Sequence, residues 1–233
     1  MPIIKIKKSI IPSCDVDSLE KLTKLVKSTC SVEGVGAYKI GLELVIPFGL
    51  NKVVKTIRKL TNLPIIYDHQ KAGTDIPDMG GRFMKVCKLV DAVILFPQAG
   101  PETEMAWIRA AQKSNMNIIV GGEMSHKGYL KGAGGFIGDE APKRIYEIAA
   151  SLGVKDFVVP GNKPDKVIEY IDLIENRVKY PVFYSPGLIA QGGNIRELAK
   201  KLESWHVIIG RAIYEAKDMN KAAKICAGEL MKD

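Results

Sequence analysis

Short apolar runs rich in β-branched residues recur along the chain and alternate with longer stretches in which apolar residues follow helical spacing. Eight such runs predict strands, at residues 9–14, 37–42, 64–67, 92–96, 117–120, 157–159, 182–184 and 207–209. Apolar positions three and four residues apart predict helices between them, as in 19–26, 53–60 and 145–152. Strict alternation is typical of a parallel α/β sheet, and eight repeats in 233 residues predict a closed (β/α)8 TIM barrel.

An open, doubly wound sheet is the alternative architecture. Two features argue against it. No Gly-x-Gly-x-x-Gly turn follows the first predicted strand, and the strongest anion-binding pattern lies at the last two strands. The barrel is therefore the favoured fold.

Two glycine-containing segments near the end of the chain predict a phosphate site. Residues 185–193 read Ser-Pro-Gly-Leu-Ile-Ala-Gln-Gly-Gly, and residues 207–211 read Val-Ile-Ile-Gly-Arg. Glycines allow close approach to an anion, a Gln amide can donate to a phosphoryl oxygen, and an Arg offers a planar fork of donors. Both segments lead from a strand towards a helix, and the loops after strands 7 and 8 are the usual phosphate site of this barrel.

Charged side chains gather where the early strands end, which is where a barrel of this kind carries its chemistry. Asp15 follows the first strand, Lys39 lies in the second, and Asp68, Lys71 and Asp75 follow the third. Buried charges are costly unless they are paired. A lysine flanked by carboxylates keeps its proton and can serve as a proton donor. The structural alternative is that some of these charges lie on the exposed rim.

Composition and charge are those of one compact domain spanning residues 1–233. The chain is 46% hydrophobic and 26% charged, with a net charge of +8 that comes mostly from dispersed lysines. No aromatic-interleaved basic strip or Arg-rich arm is present, so nucleic acid is not the expected partner. The glycine-rich span 121–138 is interpreted as a long loop, either a lid over a bound base or a surface loop.

The cysteines and the N-terminal pattern point to the cytoplasm. Four single cysteines without metal-ligand spacing predict free thiols in a reducing compartment and no structural metal. Lys5, Lys7 and Lys8 lead directly into a strand, with no signal-peptide pattern and no apolar run long enough to span a bilayer, so no membrane association is expected.

The motifs, taken in order along the chain, resemble those of the orotidine 5′-phosphate decarboxylase family. The matching segments are 15–17, 38–44, 68–77, 123–126, 185–193 and 209–214, which together extend over nearly the whole chain. The resemblance implies a carbon–carbon lyase of pyrimidine biosynthesis that decarboxylates orotidine 5′-phosphate to UMP. It also implies that no cofactor is needed and that the protein is a homodimer.

The resemblance also assigns roles to single residues. It implies that Asp15 and Lys39 contact the ribose and that Asp68 lies by the substrate carboxylate. By the same resemblance, Lys71 would protonate the product carbon, and Asp75 would reach across a dimer interface into the partner's site. The expected catalytic residues are Lys39, Asp68, Lys71 and Asp75; the pyrimidine is bound by Ser125; and the remaining substrate-binding residues, mostly for the phosphate, are Asp15, Pro186, Gly187, Gln191, Gly192, Gly210 and Arg211.

The chain departs from the family pattern at the third and fourth strands. The family's Asp-x-Lys-x-x-Asp is lengthened by one residue before and one after Lys71. Residues three apart face opposite sides of a regular strand, so Asp68 and Lys71 cannot both point inward from one. Either the strand ends at Asp68 and a turn helped by Gly73 brings Lys71 inward, or the catalytic pair is broken. The second departure is Phe96-Pro-Gln, where the family usually has a His.

These departures leave two other functions open. One is a magnesium-dependent sugar-phosphate decarboxylase or hexulose-phosphate synthase on the same scaffold. The other is a silent nucleotide-binding protein that has kept the phosphate site and lost the proton donor. His69, beside Asp68, is interpreted either as an acid–base residue or as a hydrogen-bonding residue on the rim.

Overall fold

The computed structural model describes residues 2–69, 72–186 and 202–231. Eight parallel strands form one sheet: β1 Lys8–Pro12, β2 Tyr38–Ile40, β3 Ile65–Asp68, β4 Ala92–Leu95, β5 Asn117–Gly121, β6 Asp156–Val158, β7 Val182–Pro186 and β8 Trp205–Ile209. Their order in the sheet is β1-β8-β7-β6-β5-β4-β3-β2. The sheet closes between its end strands, because Ser13 and Lys39 form a parallel bridge and Cys14 N donates to Lys39 O at 2.8 Å. The predicted (β/α)8 barrel is confirmed.

Within the described residues, helices follow the strands as the apolar spacing predicts. Two of them, Leu42–Phe48 and Leu50–Arg58, follow β2, and a short 3-10 helix at Lys131–Ala133 lies in the long loop after β5. The first helix begins where Ser18 accepts a hydrogen bond from Lys21 N, a typical N-cap. The described helices are α1 Leu19–Thr29, α2 Leu42–Phe48, α3 Leu50–Arg58, α4 Met79–Cys87, α5 Pro101–Lys113, α6 Ala141–Ser151, α7 Pro164–Glu175, α8 Arg211–Tyr214 and α9 Met219–Met231.

The strands bury both of their faces, because alternate residues point to opposite sides of the sheet. The side chains on the outer face pack against the helices. The side chains on the inner face fill the barrel and form a separate apolar cluster. Its members include Ile3, Ile4, Ile11, Ile66, Ile94, Ile119 and Ile208. The apolar interior leaves the carboxyl-terminal edge of the strands for polar side chains.

All four cysteines are free thiols, with Cys14 and Cys87 buried and Cys30 and Cys226 half-buried. Within the described ranges, no helix has the length and apolar character needed to cross a membrane.

Candidate active site

Lys39 lies between two carboxylates at the carboxyl-terminal edge of the barrel. Its Nζ is 3.2 Å from Asp68 Oδ2 and 3.4 Å from Asp15 Oδ1. The three residues come from β2, β3 and the end of β1, and these strands are neighbours in the closed barrel. The Lys39 side chain is 10% exposed, that of Asp68 17% and that of Asp15 42%. The predicted charged cluster is therefore largely inside the barrel, and Asp15 opens it to solvent.

The two carboxylates keep Lys39 charged. Burial by itself lowers the pKa of this ammonium, but the charges and hydrogen bonds of Asp68 and Asp15 outweigh burial and raise the pKa above its usual value. Burial, followed by the charge of Asp15, raises the pKa of the neighbouring Cys14 thiol. The cluster therefore presents a fixed ammonium and carboxylates, and no thiolate.

Ser13 and two glycines complete the surroundings of Asp15. Ser13 Oγ donates to Asp15 Oδ2 at 2.6 Å. A Cβ placed on Gly41 would lie 3.5 Å from Asp15 Oδ1, and one on Gly210 would lie 4.0 Å from Asp15 Oδ2. Sequence reasoning did not select Ser13, although its position two residues before Asp15 puts both on the same face of an extended chain.

The described part of the predicted phosphate site lies beside this cluster. Pro186 ends β7 and pairs with Ile208, and Gly210 follows β8 directly. Arg211 is exposed at the first position of α8. The structure brings Pro186 and Gly210 to the same edge as Asp15, whereas the predicted Gly187, Gln191 and Gly192 lie outside the described residues.

The third strand ends at Asp68, as the first interpretation of the lengthened motif requires. His69 O accepts a hydrogen bond from Ala72 N at 2.6 Å, and Gly73 has a φ of +85° that favours glycine. Asp75 is exposed. Lys71 lies outside the described residues, so its role as proton donor stays a prediction.

The two departures from the family pattern contact each other. Phe96 N donates to Ala72 O at 3.0 Å, and Ala99 N donates to Gly73 O at 3.2 Å. The Phe96 ring belongs to the cluster inside the barrel and lies against Gly121, where a Cβ would approach it to 2.3 Å. The lengthened segment after β3 therefore packs on the segment that replaces the family's usual histidine.

Ser125 lies in the loop after β5, and residues after β6 hold this loop in place. Asn162 Nδ2 donates to Ser125 O at 2.8 Å. Lys163 Nζ donates to Glu123 Oε1 at 2.6 Å and to Met124 O at 2.9 Å. Sequence reasoning missed Asn162 and Lys163, because nothing in the spacing of two separate loops shows that they pair.

His69 makes a hydrogen bond at the rim. Its Nδ1 lies 2.6 Å from Tyr67 Oη, and its ring packs against Phe83. Burial raises the pKa of Tyr67 to about 12, so the phenol stays protonated and can donate to the imidazole. These contacts favour the hydrogen-bonding interpretation of His69.

Comparison with known proteins identifies relatives of this barrel. The model of the family described as "Orotidine 5'-phosphate decarboxylase / HUMPS family" matches residues 8–226. The orotidine 5′-phosphate decarboxylase of Methanocaldococcus jannaschii is 32% identical over 212 residues, which are 90% of this chain and 92% of that protein. The enzyme of Methanosarcina barkeri is 31% identical, over 96% of this chain and 95% of that protein.

Solved structures agree with these sequence matches. The M. jannaschii orotidine 5′-monophosphate decarboxylase complexed with the inhibitor BMP superimposes with a TM-score of 0.82 and 30% identity, over 97% of this chain and 100% of that one. The orotidine 5′-phosphate decarboxylase of Pyrococcus horikoshii gives a TM-score of 0.76 and 29% identity, over 96% of this chain and all of that one.

Proposed function

The chain belongs to the orotidine 5′-phosphate decarboxylase / HUMPS family, and we propose that it is the decarboxylase, converting orotidine 5′-phosphate to UMP and carbon dioxide. The observation that carries this proposal is the pairing of Lys39 with Asp15 and Asp68 at the edge where Gly210 also lies. A phosphorylated nucleotide bound along this edge meets fixed charges on one side and backbone that can approach an anion on the other.

Each group has a place in the binding of this substrate. Asp15 and Lys39 bind the ribose hydroxyls, and Asp68 faces the carboxylate that leaves. Ser125 binds the pyrimidine, and the anchoring of its carbonyl by Asn162 supports that role. Six residues bind the phosphate: Pro186, Gly187, Gln191, Gly192, Gly210 and Arg211.

The reaction needs charge stabilisation and one proton. The bond between the pyrimidine ring and its carboxylate breaks, its electron pair stays on the ring carbon, and carbon dioxide leaves. Lys71 donates a proton to that carbon and regains one from water. Preorganised charges stabilise the developing carbanion without reorganising during the reaction. The end of β3 at Asp68 and the turn at Gly73 support the view that the lengthened segment brings Lys71 to the ring.

Asp75 acts in the site of a second copy of this chain, so the protein is a homodimer. Its compartment is the cytoplasm. The exposed position of Asp75 on the segment before α4 supports the dimer, and the free cysteines agree with a reducing compartment. Light scattering at micromolar concentration should give the mass of a dimer. A fully active monomer would contradict this assignment.

The function is tested by carbon dioxide release from orotidine 5′-phosphate, with and without EDTA. We expect stoichiometric UMP and the same rate in both. Binding of UMP without turnover would instead identify a silent nucleotide-binding protein. Activity only on a sugar phosphate, lost with EDTA, would identify the magnesium-dependent reaction.

A further inference from the structure

Hydrogen bonds from one stretch of chain, which runs from the end of β4 into α5, hold the lengthened segment after β3. Besides the bonds from Phe96 N to Ala72 O and from Ala99 N to Gly73 O, Thr103 Oγ1 donates to Asp75 O at 2.9 Å. Trp107 Nε1 donates to Ile76 O at 3.1 Å. We call the four donors, Phe96, Ala99, Thr103 and Trp107, the anchor residues.

The lengthened segment packs so closely against the chain after β4 that a side chain at Gly73 would clash with it. A Cβ there would lie 2.6 Å from Leu95 Cδ1, 2.8 Å from Pro97 Cα and 3.1 Å from Phe96 O. Two of these three atoms are backbone and cannot move aside independently. The contact therefore fixes the path of the chain between residues 72 and 76.

The donors on α5 are rigid parts of the fold, whereas the residues that they hold are exposed. Thr103 and Trp107 are 4% and 3% exposed, one turn apart on the helix. Asp75 and Ile76 are exposed, and their backbone carbonyls are the atoms bound to the helix. A longer connection has more conformations to lose on ordering, and these bonds restrict them.

We infer that Thr103 is a positioning residue for the decarboxylation, acting through its hydrogen bond to the backbone of Asp75. This inference rests on the proposed function, in which Lys71 and Asp75 act at the reacting ring. Misplacing such groups by about 1 Å costs roughly 10²-fold in rate. Because Thr103 does not touch the substrate, its loss should affect kcat and leave the affinity for UMP unchanged.

Thr103→Val tests this, because it removes the hydroxyl and keeps the shape of the side chain, whereas Thr103→Ser restores the donor. Thr23→Val is the matched control. Thr23 is half-buried on α1, and its hydroxyl donates to Leu19 O of the same helix at 2.7 Å. We expect Thr103→Val to lower kcat by about tenfold or more with an unchanged UMP Kd, and Thr103→Ser to recover most of the rate. Thr23→Val should leave kcat unchanged.

Hydrogen exchange of the peptide covering residues 72–76 gives a readout that does not depend on turnover. Exchange should be faster in Thr103→Val than in the wild type or Thr103→Ser. Unchanged kcat in a folded Thr103→Val protein would overturn the inference. If the wild type makes no UMP, the proposed function fails, and unchanged exchange would then show that Thr103 does not hold the segment either. Should Thr103→Val not fold, Trp107→Phe, which removes the bond to Ile76 O, carries the same expectations.

Discussion

Lys39 Nζ lies 3.2 Å from Asp68 Oδ2 inside the barrel, although 29 residues separate the two in sequence. Adjacent parallel strands bring them together, and the bond links the groups proposed to contact the ribose and the departing carboxylate. The fold itself therefore holds these charges together, and preorganised charges are the arrangement that stabilises a developing negative charge most effectively.

Replacing Lys39 with Met should lower kcat/KM by about 10²-fold or more, because it removes the positive charge between two carboxylates in the site. Breaking a buried pair should also lower the melting temperature. The control is Lys21→Met on α1, which breaks the exposed 2.8 Å pair with Asp17, a residue just before the helix. Steady-state kinetics on orotidine 5′-phosphate measures this change in kcat/KM. A Lys39→Met enzyme as active as the control would show that the charged cluster does not contribute to the reaction.

Arg211 should contribute a charge-assisted hydrogen bond to the phosphate. We expect Arg211→Ala to weaken UMP binding by about 1.5–3 kcal/mol, measured by calorimetry. Arg177→Ala is the control, because Arg177 forms an exposed ion pair with Glu147. Equal UMP affinity in the two variants would show that Arg211 does not bind the phosphate.

Glu104 should make stability fall as the pH rises from about 4.5 to about 8. It is 1% exposed on α5, and Oε1 has no hydrogen-bond partner among the residues described. Burial raises its pKa from 4.5 to about 8, against a smaller opposing effect of Arg144. Because the pKa is raised, the stabilising contribution is complete below pH 4.5 and is lost as the pH rises through 8.

The isosteric Glu104→Gln protein cannot ionise at this position. Its Tm should exceed that of the wild type by about 2–4 °C or more at pH 9, roughly 1 kcal/mol, and match it near pH 5. The exposed neighbour Glu102 provides the control, since Glu102→Gln should leave the difference between the two pH values unchanged. A Glu104→Gln protein with the wild-type pH profile would show that this carboxyl is ionised at no cost.

Sequence patterns predicted the fold because each strand is a short apolar run that carries its own signal. All eight strands lie within two residues of their predicted ends, and β3 ends at Asp68 as one interpretation of the motif required. The proximity of Asp15, Lys39 and Asp68 was also predictable, because charges at the ends of apolar strands are unusual and neighbouring strands bring them together, whereas their roles stay predictions.

Contacts between loops could not be predicted in this way. The bonds from Phe96 to Ala72 and from Asn162 to Ser125 join segments whose pairing depends on the closed barrel and leaves no periodic pattern. In the sequence, the lengthened segment after the third strand and the missing histidine of the fourth strand were two separate departures from the family pattern. In the structure they are one packed unit, in which Phe96 fills the space beside Gly121 and its backbone holds Ala72.

The central claim is that this chain decarboxylates orotidine 5′-phosphate with Lys71 as proton donor, despite the altered spacing around it. The kcat of Lys71→Ala on orotidine 5′-phosphate, with UMP affinity measured on the same protein, tests it most directly; Lys88→Ala, exposed after α4, is the control. We predict a loss of about 10³-fold or more in kcat with little change in UMP affinity, because a proton donor acts in the transition state. A Lys71→Ala enzyme that turns over like the wild type would contradict the claim and show that another group protonates the ring.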